Sequence, residues 1–130
     1  MNLDFTNVAT RDPLEPGFYT GRIIEAEEKT ASTGSPMIAV VYQITGDSNG
    51  EPVEGIRKVW DNLVLTEASM WRVKQAFEAY GFDVEGSLDI TPADLIGIDL
   101  GLKLGHNIYQ GETRNNILGY KTLDEMAGLN

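Results

Sequence analysis

The order in which the hydrophobic pattern changes along the chain limits its fold more than any other feature. Three strand-like runs come first, one stretch at helical spacing follows, and two more strand-like runs end the sequence. The first run spans Phe18 to Lys29. Tyr19, Gly21 and Ile23 alternate there before the phase moves to Ile24 and Ala26, and a phase change beside a glycine predicts a bulge. Met37–Thr45 is apolar at nearly every position, the pattern of a central strand covered on both sides. Gly46-Asp47-Ser48-Asn49-Gly50 then marks a turn. The third run is Gly55–Leu65. Thr66 stands where a helix N-cap belongs, Glu67 favours the first turn, and Met70, Val73, Phe77 and Tyr80 form one stripe that stops at Gly81. TPADLIG (residues 91–97) predicts a short helical turn opened by proline. In Ile98–Ile108, Ile98, Leu100, Leu102 and Leu104 alternate with Asp99, Gly101, Lys103 and Gly105. Gln110-Gly111 then signals a two-residue hairpin leading into Glu112–Tyr120.

In 130 residues this order predicts a mainly β domain. The expected architecture is a five-stranded OB-fold barrel with one α-helix between strands three and four. Residues 1–16 are expected to be an N-terminal arm anchored by Leu3, Phe5, Val8 and Leu14. Residues 17–120 would form the barrel and 121–130 a C-terminal tail. Barrels of this kind mostly grip single-stranded nucleic acid across one face and two loops. Fold does not fix function, so the grip must come from particular residues.

Composition narrows the chemistry. A hydrophobic content of 42% suffices for one core. The absence of cysteine removes disulfides, thiolate metal ligands and cysteine nucleophiles, and fits a reducing cytoplasm. No apolar run has membrane-spanning length and the N-terminus lacks a signal-peptide pattern, so a soluble protein without membrane contact is expected. A net charge of −10 opposes binding to a polyanion. The acid is unevenly spread, however: residues 66–96 hold six carboxylates against Arg72 and Lys74, whereas 97–111 hold only Asp99 and Lys103. A locally positive face is therefore compatible with the total.

Several strings resemble a known group. PGFYTGRIIEAEE, GSPMIAVVYQI, KVWDNLVLTEASMWRVKQAFEAYGF, DLIG and YQGETRN are similar to a phage-encoded family, long labelled a domain of unknown function, found beside replication and recombination genes. The likeness covers residues 17 to about 120. It implies an OB-fold single-stranded DNA-binding protein acting in the host cytoplasm, with phage or host replication and recombination proteins as partners. The chain lacks the long acidic C-terminal tail of many such proteins.

Single strands are held by cations along the backbone and by flat side chains on which bases stack. The hairpin His106–Arg114 offers an imidazole, the Tyr109 ring, the Arg114 guanidinium and several amides. Ordinary cross-strand packing would use the same residues. The first loop contributes Lys29 and the hydroxyls of residues 30–35. In the third strand, Arg57, Lys58 and Trp60 have two possible facings. With Val59, Asp61 and Leu63 inward, Lys58, Trp60 and Asn62 form an outer platform, but an inward Asp61 needs a partner. With the opposite phase Trp60 joins the core, and a one-residue slip exchanges the two. Arg22 and Lys103 are further candidate phosphate contacts. Trp71 lies off the helix stripe, either packed against the arm or another subunit or exposed for a ligand.

No phosphate-loop motif is present, and one histidine without cysteine makes no zinc site. The expected protein is not an enzyme and needs no cofactor or metal. It binds single-stranded DNA without sequence preference through Arg22, Lys29, Arg57, Lys58, Trp60, Lys103, His106, Tyr109 and Arg114, as a monomer or homodimer. The competing expectation, favoured by the acidic total, is an OB-fold protein–protein adaptor that binds no nucleic acid.

Overall fold

In a computed structural model, residues 1–3 and 13–128 are described. The expected arm anchors Phe5 and Val8 lie outside the described residues. Five strands carry the fold: β1 (Gly17–Thr30), β2 (Pro36–Asp47), β3 (Lys58–Val64), β4 (Asp99–Tyr109) and β5 (Glu112–Lys121). They form one antiparallel sheet in the order β3-β2-β1-β4-β5. One main helix, α1 (Met70–Tyr80), follows β3, and a short helix, α2 (Leu123–Ala127), follows β5.

The phase change in the first strand is real. Opposite β2, the register of β1 shifts between Thr20 and Gly21 and again between Ile23 and Glu25, where Ile24 has no partner. The strand serves two neighbours: β2 along its length and β4 over Gly17–Arg22. A 3-10 turn at Pro92–Leu95 then straps the kink. Gly97 N–H donates to the Ile23 carbonyl at 2.8 Å, and Ile23 N–H donates to the Ile98 carbonyl at 2.9 Å.

The core is built where the alternation pointed. Leu100, Leu102 and Leu104 of β4, Ile23 of β1, Tyr42 of β2 and Leu63 of β3 are all fully buried. α1 packs against β3, β4 and β5 through Val73, Ala76, Phe77, Ala79 and Tyr80. It ends as expected at Gly81, which takes the left-handed φ of 99° that glycine tolerates best. Its beginning differs: Glu67–Ser69 form a 3-10 turn, and Met70 lies on the exposed side of the stripe.

The sheet is not a closed barrel. Among the described residues no backbone ladder joins β3 to β5. The two edges meet through side chains instead: the Tyr120 hydroxyl of β5 donates to the Asp61 carboxylate of β3. Arg72 of α1 approaches the same carboxylate at 3.0 Å and donates to the Ile117 carbonyl of β5 at 3.2 Å. A link as long as a tyrosine side chain spans more than the ~4.8 Å between laddered strands. Next to this clamp the hydroxyls of Tyr42 and Tyr80 share a buried hydrogen bond.

The presumed tail is partly folded. Thr122 and Glu125 form a reciprocal capping box at the start of α2, and Met126 is buried. Met126 lies so close over Gly101 of β4 that any Cβ at position 101 would collide with it. A five-residue helix is too short to show periodicity, although Thr122-Leu123-Asp124-Glu125 carries the capping signal.

Candidate nucleic-acid interface

β3 alternates strictly, with Val59, Asp61 and Leu63 buried and Lys58, Trp60 and Asn62 exposed. The outward platform is therefore the observed phase. The partner that an inward Asp61 needs is supplied twice, by Arg72 and by Tyr120. Trp60 is 66% exposed. Its cross-strand neighbour on β2, Val41, is buried.

The β4–β5 hairpin turns at Gln110 and Gly111, with φ of 50° and 80°. Positive φ at both central residues defines the tight turn whose twist matches paired strands. On one face of the hairpin, the Arg114 guanidinium lies 5.1 Å from the centre of the Tyr109 ring and ion-pairs with Glu112 at 3.3 Å.

An open groove of about 1080 Å³ runs between this hairpin and the outer face of β3. Lys58, Trp60 and Asn62 line it on one side, and Asn107, Tyr109 and Arg114 on the other. Arg57 also borders it and donates from Nε to the Glu54 carbonyl at 3.0 Å. Among the described residues, those lining it carry three cations and one carboxylate, Glu112, an excess of positive side chains on a chain of net −10. Asn116, another lining residue, buries an amide oxygen that finds no hydrogen-bond partner among the described residues.

Segment 13–14 closes one end. The Asn115 side chain treats Leu14 as a strand neighbour, accepting from its N–H at 2.8 Å and donating to its carbonyl at 2.9 Å. His106 Nε2 donates to the same carbonyl at 2.8 Å.

A family model described as "Protein of unknown function (DUF669)" matches residues 1–128. The chain belongs to the DUF669 family. No curated protein is significantly similar to it. The DUF669 match names no activity, so the chemistry must be read from the side chains.

Of the residues expected at a binding site, this DUF669 fold gathers Arg57, Lys58, Trp60, Tyr109 and Arg114 around one groove. The other four lie elsewhere. Arg22 forms a two-pronged ion pair with Asp99, at 2.8 and 3.2 Å. Lys29 lies 3.8 Å from Glu27, and Lys103 sits 5.7 Å from the centre of the Phe18 ring. His106 is spent on Leu14. Neither β2 nor the loop at residues 30–35 lines the groove. Sequence reasoning passed over Asn115, whose signal was its place opposite His106 in the hairpin register. It also left Asp61, Arg72 and Tyr120 unconnected. Of the two alternatives for Trp71, exposure holds among the described residues, at 64%.

Burial raises the hydroxyl pKa of Tyr42, Tyr80 and Tyr120 well above that of free tyrosine, and the nearby Asp61 charge pushes each further up. These phenols stay protonated, which lets Tyr120 donate to Asp61. No group of three or more metal-ligating side chains occurs among the described residues, and no helix there is long and apolar enough to cross a membrane.

Proposed function

We propose that this protein binds single-stranded DNA without sequence preference and without catalysis, in phage replication or recombination within the host cytoplasm. The five strands act in this reading as an OB barrel, with the Asp61–Tyr120 link and α1 bridging the gap between β3 and β5. One observation carries the proposal: two exposed rings, Trp60 and Tyr109, line the same groove as Lys58 and Arg114. Rings offer every base a stacking surface, and the flanking cations meet the backbone regardless of sequence. The strand order and the likeness of residues 17–120 to phage single-strand binders support it further.

The test is a titration with oligo-dT followed by tryptophan fluorescence over a salt series. Stacking on Trp60 should quench emission, and Trp60→Phe should abolish the quench while Trp71 still emits. With two or three cations engaged, log K should fall with log salt at a slope between about −1.4 and −2.1. Unchanged emission and mobility at low salt would refute the proposal. A second reading, a protein adaptor, draws on Met70 and Trp71 standing exposed on an acidic stretch of chain. It predicts no response to oligo-dT at any salt.

A further inference from the structure

The β4–β5 hairpin reaches past the body of the sheet. β1 pairs with β4 only as far as Gly17 opposite Leu104. Leu14 occupies the next step, at His106 and Asn115. Beyond it, Asn107–Arg114, Ile108–Thr113 and Tyr109–Glu112 pair only with each other. Every residue from 107 to 114 is exposed, and the two-residue turn keeps the end narrow.

The two faces of this ribbon differ in chemistry. Successive strand residues point to opposite sides, so Tyr109 and Arg114 share the groove face while Ile108 points away from it. Ile108 is 75% exposed and does not line the groove. Its cross-strand partner Thr113 borders the groove, and neither residue carries charge. The groove side thus suits a nucleic-acid backbone with its bases, whereas Ile108 stands outside the groove as a bare aliphatic side chain.

We infer that the ribbon parts paired strands where a duplex meets a single strand, with Ile108 as the wedge. The inference rests on the binding proposed above, because the groove must hold one strand for the ribbon to meet the fork. The held strand runs along the Tyr109–Arg114 side. The complementary strand is left on the Ile108 side, where the aliphatic side chain packs on the last base pair and unstacks it. Isoleucine, leucine and phenylalanine side chains that minor-groove proteins insert between base steps partially unstack them, which shows that such a side chain can displace stacking. The ligand class is therefore a single-strand–duplex junction rather than a single strand alone.

The experiment uses the full chain and forked DNA with a dT tail on either the 5′ or the 3′ strand and 2-aminopurine in the first base pair. The wild type should raise 2-aminopurine emission on at least one fork. Ile108→Ser should keep its oligo-dT affinity within about twofold yet lose most of that rise, and Ile108→Phe should restore it. Equal emission from wild type and Ile108→Ser, or no rise despite tight oligo-dT binding, would overturn the wedge and leave the binding proposal standing. Failure to bind oligo-dT at all would overturn both.

Discussion

Replacing Arg72 by methionine should destabilise the protein, because it strips a buried carboxylate of its counter-charge. Asp61 is almost completely buried, and Arg72 lies 3.0 Å from its carboxylate. Two unit charges at that distance attract by about 5 kcal/mol at an effective dielectric constant of 20. Removing the cation leaves the carboxylate buried with the Tyr120 hydroxyl as its remaining partner, and breaking a fully buried pair costs about 3–5 kcal/mol. The Arg72 side chain is 33% exposed, so solvent already screens part of the interaction. The expected loss is therefore about 2–4 kcal/mol. For 130 residues the unfolding entropy near 60 °C is about 0.27 kcal/mol/K, so Tm should fall by about 7–15 °C. Urea unfolding followed by circular dichroism measures the first quantity and a thermal scan the second. The double change Asp61→Asn with Arg72→Met should recover more than half of the loss, because a neutral amide needs no counter-charge. A cost of Arg72→Met below about 0.5 kcal/mol, or a double variant no more stable than the single one, would refute the clamp.

Four further outcomes follow from the geometry. Tyr42, Tyr80 and Tyr120 have raised pKa values in the fold, so above the unfolded-state value near 10 only the unfolded chain loses these protons; stability should be insensitive to their titration below about pH 9 and then fall by up to about 4 kcal/mol per pH unit, measured by urea midpoints from pH 8 to 11. Tyr109→Ala should weaken oligo-dT binding by about 1–3 kcal/mol. Lys58→Gln should reduce the salt slope by about 0.7, and titrations at several ionic strengths check both. Gly101→Ala should force Met126 off β4 at a cost of about 1–3 kcal/mol, seen as faster proteolysis of residues 121–128 than in the wild type.

Much of the sheet was legible because its signals are local. The Leu100–Leu104 alternation, the phase slip at Ile24 and the Gln110-Gly111 turn each declare themselves within a few residues. The facing of β3 was not legible, since the choice turned on Asp61. Its partners stand 11 and 59 positions away, at Arg72 and Tyr120. The same distance problem split the candidate site. Lys58 and Tyr109 meet at one groove only because the sheet curls its two outer strands toward each other. Arg22 looks like any other free cation in sequence but is held by Asp99, 77 positions later. Closure of the barrel was over-read: strand order was visible, whereas the presence of a final ladder depends on the spacing of two backbones.

Trp60 and Asp61 are consecutive residues on one strand, so anchoring the second fixes the direction of the first. The side of the strand from which the indole projects is set before any visitor arrives, so no change of strand facing is needed on contact. Capture should then be limited by diffusion and orientation rather than by rearrangement. Its stopped-flow trace should show one exponential whose rate rises linearly with oligonucleotide concentration.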